Sequence, residues 1–119
     1  MAKIAGVYIL DIPYHADKAY SYYIPSVIEE TVELGCVVDV PFGRGNRRTT
    51  GVVTEIHDGE TDSRTKPIIA AVGEGRILTP ELLRLCTFVK DYTLCTFGEA
   101  LRAIIPPAAM SRVQNPARW

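Results

Sequence analysis

The stretch that most constrains this chain is Val37 to Ile56, VVDVPFGRGNRRTTGVVTEI. Val38, Val40, Val52 and Val53 are β-branched residues suited to a pleated, half-buried surface. They predict two short strands joined by a loop. Pro41 ends the first strand or marks a sheet edge, because it has no N–H for a ladder bond. The loop, Gly43 to Arg48, is punctuated by Gly43 and Gly45, which can take positive φ and let a ligand come close to the backbone. Arg44, Arg47 and Arg48 make a dense donor cluster, and guanidinium forks match phosphate oxygens. They are the candidate phosphate contacts. On the loop alone the commoner reading is a solvated surface hairpin, since short basic motifs carry little specificity.

Charge sharpens this. The net charge of the 119-residue chain is −1, so no bulk field attracts a polyanion, and any such binding must come from local clustering. Glu29, Glu30 and Glu33 precede the central stretch, and Asp58, Glu60 and Asp62 follow it, which sets the arginine loop apart. The length fits about one domain, with 47% hydrophobic residues to fill a modest core. Cys36, Cys86 and Cys95 form no C-x-x-C pair, so buried, reduced thiols in a cytoplasmic protein are expected rather than zinc ligands or a disulfide framework. No apolar run reaches the roughly 18 residues needed to cross a membrane. The N-terminal apolar stretch lacks a small-residue cleavage site and reads as a first strand.

In chain order, Ile4 to Ile12 is strand-like and stopped by Pro13. Tyr20 to Ile24 is a second strand closed by Pro25, and its alternation puts Tyr20, Tyr22 and Ile24 on one face, Ser21 and Tyr23 on the other. Tyrosines cluster between Tyr8 and Tyr23; core packing is the common role for each, although one beside a basic loop can stack on a base. Val27 to Leu34 is an acidic connection. His57 to Thr65 reads as a polar loop with a turn at Asp58-Gly59. Lys66 to Val72 is a further strand, starting or lying at an edge because of Pro67. Five short strands with turns between them predict a small barrel or strongly bent sheet.

The pattern then becomes helical. Thr79 is an N-cap, with Pro80 at the first helical position and Glu81 in the first turn. Leu82, Leu85, Cys86, Val89 and Phe88 form an apolar stripe expected to face the core. Thr96 with Glu99 makes a capping box for a second helix, whose Leu101, Ile104 and Ile105 face the sheet and which ends at Pro106-Pro107. Residues 108–119 carry no periodicity and read as a tail or the start of a linker.

Catalytic motifs are missing. There is no phosphate-binding G-x-x-x-x-G-K-[ST] and no G-x-G-x-x-G after a strand. His15 and His57 stand in polar stretches without a nucleophile or ligand spacing beside them. Ser21, Ser26, Ser63 and Ser111 sit in no elbow motif, and Asp11 and Asp17 are not spaced as an evident acid–base pair.

One family combines these pieces in this order: AYSYYIP (19–25), GCVVDVPFG (35–43), TGVV (50–53), TKPIIAAV (65–72) and the closing LTPELLRLCTFVKDYTLCTFGEALRAIIPP. Over about residues 4–107 the chain resembles the N-terminal domain of the PriA family, the bacterial replication-restart helicases also called primosomal protein N′. The resemblance implies a mainly β fold, a small circularly permuted OB-like barrel with two C-terminal helices, spanning 1–107. It implies a module that captures the 3′ end of a nascent leading strand at a stalled fork. The pocket residues it implies are Tyr20, Ser21, Gly43 and Lys66. Ser21 departs from the family's best-known form, which has aspartate there to accept a hydrogen bond from a terminal 3′-hydroxyl. The resemblance implies that the module itself is not an enzyme and holds no cofactor, whereas whole members of the family are ATP-dependent 3′→5′ helicases that use ATP, magnesium and zinc. The implied partners are DNA, primosome proteins and single-stranded-DNA-binding protein, without a membrane. A competing class is a protein-interaction module that docks other helicase domains or single-stranded-DNA-binding protein.

Overall fold

The computed structural model describes residues 2–76 and 78–105. Its centre is β1 (Ala2–Ile9), paired antiparallel with β2 (Ala19–Ile24) on one side and β4 (Arg47–Gly59) on the other. β4 pairs in turn with β3 (Cys36–Phe42), and β3 with β6 (Ala70–Arg76). A two-residue strand, β5 (Lys66–Pro67), adds parallel to the free edge of β2. The sheet order is therefore β5-β2-β1-β4-β3-β6.

The expected strand from Lys66 to Val72 is broken, and the break curls the sheet. β5 lies on β2 at one edge and β6 on β3 at the other. Between them Ile68 N–H donates to Tyr23 O at 3.0 Å, and Ile69 N–H donates to Asp39 O at 2.8 Å. One short segment thus ties both edges together, as a small OB-like barrel requires. A bulge contributes further curvature: the β1–β4 register shifts after Gly6, leaving Thr54 to donate its hydroxyl to Gly6 O.

Several local expectations are corrected. β1 ends at Ile9, three residues early, because the chain turns at Leu10 and Asp11 into a 3-10 turn at Tyr14–Ala16. Pro41 does not end β3 but lies inside it, opposite Arg48, and marks an edge as expected: the β6 pairing of β3 goes no further than Asp39, so the missing N–H leaves no gap. Arg47 and Arg48 belong to β4, and the connecting turn is only Gly43 to Asn46, closed by Asn46 N–H on Gly43 O. Asp58-Gly59 is no turn: β4 runs to Gly59 against the start of β1, where Lys3 pairs with Asp58 at 3.1 Å. The acidic connection forms a 3-10 helix at Ser26–Thr31.

Two cores follow from strand alternation. Val7, Ile9, Tyr22, Ile24, Val38, Val40, Val53 and Ile68 fill the barrel. Val37 and Val52, one position out of phase, face outward into a second core with Leu78, Leu83, Cys86, Phe97 and Leu101. The runs VV at 37–38 and 52–53 therefore encode strands buried on both faces, not half-buried ones. Each such fully buried valine contributes about 1.5–3 kcal/mol.

The helices are α1 (Pro80–Thr93) and α2 (Phe97–Ile104). Thr79 accepts Leu82 N–H, and the Thr96–Glu99 capping box is complete, as expected. The α1 stripe is rotated from expectation. Leu83 and Cys86 are buried, whereas Leu85 and Phe88 are 44% and 64% exposed. In α2, Leu101 is buried, as is Ile105 just beyond its end. Its first turn meets the end of β1 so closely that a Cβ on Gly98 would collide with the Leu10 carbonyl oxygen. The expectations for Pro106, Pro107 and residues 108–119 lie outside the described residues.

Candidate nucleic-acid interface

The barrel has an open end. On β2 the inward face runs Ile24, Tyr22, Tyr20, and on β3 it runs Val38, Val40, Phe42. The innermost of these are fully buried, while Tyr20 and Phe42 are half-buried and packed against them. The two rings meet edge to face, centroids 5.1 Å apart at 80°. Above them opens a cavity of about 370 Å³ lined by Tyr20, Ser21, Tyr22, Phe42, Gly43, Arg64 and Lys66. Its size suits a small ligand, for which barrel mouths are common sites.

Most of the lining is held in place by hydrogen bonds. Tyr20 donates its hydroxyl to Ala16 O at 2.7 Å, and Lys18 Nζ stands 5.3 Å from the centre of its ring. Tyr22 donates to Pro41 O at 2.9 Å; burial, and secondarily Tyr20, pushes its pKa up to about 12, so the floor is neutral. Lys66, placed by the β5–β2 pairing opposite Tyr22, donates to Gly43 O at 3.2 Å. Gly43 has φ +77°, and a Cβ there would meet open space, so the backbone is bare where a ligand would arrive. Ser21 is exposed, and its hydroxyl makes no hydrogen bond among the described residues. The structure thus brings Tyr20, Ser21, Gly43 and Lys66 together from three separate segments.

Sequence reasoning missed Arg64 and Phe42 as lining residues. Phe42 was legible: it continues the alternation of Val38 and Val40 up to the glycine. Arg64 was not, because it reaches the cavity through the distant pairing of the adjacent Lys66 with Tyr22, after an Asx-type turn in which Asp62 Oδ1 accepts the N–H groups of Arg64 and Thr65.

Beyond Gly43 lies a second, more polar cleft of about 610 Å³, whose lining includes Ile12, Pro13, Phe42, Gly43, Arg44, Arg47 and Arg48. Phe42 and Gly43 are shared by both hollows. The three arginines are not equivalent. Arg48 is clasped by Asp39, with Nε and Nη2 each 2.8 Å from Oδ2. Arg44 and Arg47 are exposed and have no ion pair among the described residues.

Comparison with known proteins identifies the family. A family model described as the 3′ DNA-binding domain (3′BD) of PriA matches residues 8–106. The chain belongs to this family. It is 29% identical over 94 residues to the replication restart protein PriA of Chlamydia muridarum, covering 76% of the chain and 12% of that protein. It is 28% identical over 101 residues to the PriA of Bacillus subtilis, covering 83% of the chain and 12% of that protein. The chain thus spans only 12% of the length of these relatives. The matched unit of PriA is a DNA-binding module, and no described helix is long and apolar enough to cross a membrane.

Proposed function

We propose that the cavity takes the terminal nucleotide of a DNA 3′ end, and that the strand leaves over Gly43 towards Arg44 and Arg47. The observation that carries this is the convergence of Tyr20, Ser21, Gly43 and Lys66 on one hollow at the barrel mouth. A base can stack on Tyr20, which is worth about 1–3 kcal/mol and tolerates any sequence. Lys66 and Arg64 supply positive charge for a phosphate, and Arg44 and Arg47 add affinity without sequence information. Arg48 contributes less, because Asp39 already occupies it. Ser21 offers a free hydroxyl to the sugar's 3′-hydroxyl, where a carboxylate would bind more strongly.

In a protein of the relatives' length, this module would capture the 3′ end of a nascent leading strand at a stalled fork. It would present that fork to an ATP-dependent 3′→5′ helicase that restarts replication with primosome proteins in the bacterial cytoplasm. ATP, magnesium and zinc would serve that remaining part.

The test is a competition between oligonucleotides that differ only in a 3′-hydroxyl or a 3′-phosphate. The hydroxyl form should bind more tightly, since the phosphate adds bulk and removes the hydroxyl's hydrogen bond. Equal affinities would leave only nonspecific strand binding by the arginine turn. Gly43→Asn, which keeps the left-handed backbone but adds a side chain, should lower end binding.

A second reading has its own observation. Phe88 and Tyr92 stack on the outer face of α1 with centroids 5.8 Å apart, and both are largely exposed. Such a face suits docking of another domain of a longer chain. If so, Phe88→Ser with Tyr92→Ser should leave oligonucleotide binding by this domain intact while lowering the melting temperature of the full-length protein.

A further inference from the structure

Asp17 is the buried charged group that neither the barrel nor the cavity accounts for. Its side chain is only 1% exposed. Oδ2 accepts the N–H of Phe97, the first residue of α2 and 80 positions away, at 2.9 Å. The same oxygen lies 3.5 Å from Lys90 Nζ on α1, while Oδ1 is buried without a hydrogen bond among the described residues. Burying a carboxylate with one oxygen unfilled is costly, and such a pair adds little to stability compared with apolar packing. Its position suggests another use.

Asp17 closes the 3-10 turn Tyr14–Ala16. Within it, Ala16 N–H donates to Pro13 O and Asp17 N–H to Tyr14 O. The neighbours of Asp17 on both sides hold Tyr20: Ala16 O accepts its hydroxyl, and Lys18 Nζ lies over its ring. Asp17 links this turn directly to both helices, next to a more exposed tie upstream in which Asp11 pairs with Arg102 of α2 at 2.8 Å. We propose that Asp17 is a positioning residue for the nucleotide cavity: by pinning the turn to the N-terminus of α2 it sets the Tyr20 ring against Phe42. The inference rests on the cavity being a 3′-nucleotide site.

The experiment compares Asp17→Ala, Asp17→Asn and Tyr20→Phe, reading two signals. One is the affinity ratio between 3′-hydroxyl and 3′-phosphate dinucleotides; the other, which needs no ligand, is the proton NOE between the rings at positions 20 and 42. Asp17→Ala should lose the NOE and lower 3′-hydroxyl dinucleotide affinity about tenfold, the worth of roughly one hydrogen bond. Asp17→Asn keeps an acceptor for Phe97 N–H and should restore both signals to within about twofold. Tyr20→Phe should weaken the NOE and narrow the ratio, since it cuts the link at the other end. Leu101→Val, a destabilising change in α2, should lower the melting temperature without moving either signal. A folded Asp17→Ala with parental NOE and ratio would overturn the proposal. If that variant does not fold, an unchanged NOE in Tyr20→Phe would do so. Loss of the NOE in a protein that has no 3′-hydroxyl preference would instead keep Asp17 as the positioner and reject the nucleotide reading.

Discussion

The two sides of Gly43 are built in opposite ways. On the cavity side, Tyr20 is held by Ala16 O, Phe42 and Lys18, and Lys66 is tied to Gly43 O. On the turn side, Arg44 and Arg47 stand in solvent, and only Arg48 is restrained, by Asp39. A restrained wall loses little entropy on binding and can discriminate shape. Free arginines contribute charge, which any phosphate satisfies and salt screens. On the proposed reading, the comparison teaches that specificity for an end and affinity for a strand are separable.

The largest expected effect breaks the restrained side. Tyr20→Ala should cost about 1–3 kcal/mol in affinity for a 3′-hydroxyl dinucleotide, up to about a hundredfold, measured by fluorescence anisotropy. Binding of a long single strand at low salt should fall much less. Breaking the other side comes next. Arg44→Ala with Arg47→Ala should weaken long strands about tenfold and lower the slope of log affinity against log salt by about 1.4, leaving the 3′-hydroxyl preference unchanged. A preference that fell with the slope would show that the two sides are one site.

Ser21→Asp sharpens the contrast by a smaller step. A carboxylate accepts the terminal hydroxyl more strongly and repels a terminal phosphate, so the preference should grow several-fold. The smallest effect is on stability. Tyr22 under the cavity has its pKa raised from 10.0 to about 12, so folding holds its proton more tightly than the unfolded chain does. The stability it contributes is whole below pH 10.0 and is lost as the pH rises towards 12. Urea midpoints should fall across that alkaline window, less steeply in Tyr22→Phe, with no change near neutrality.

What the sequence determined by itself were the features decided within a few residues. The Thr79 cap, the Thr96–Glu99 box, the β3–β4 hairpin and the placing of Tyr20, Tyr22 and Ile24 on one face all follow from local hydrogen bonding and strand alternation. The resemblance to the family also pointed to four of the seven residues that line the cavity. Tertiary structure decided the rest. The break at Ile68-Ile69 exists because one segment must serve two sheet edges. The burial of Leu83 rather than Leu85 depends on how α1 rolls onto the outer valines of β3 and β4. Arg48 was withdrawn from the basic cluster by Asp39, two positions from its register partner Pro41, and Arg64 entered the cavity because the adjacent β5 pairs with β2. Asp17 meets Phe97, 80 positions away, because α2 packs on the end of β1. Contacts of such sequence separation leave no periodic trace in the chain, because the entropy of closing those loops is recovered only by the assembled core.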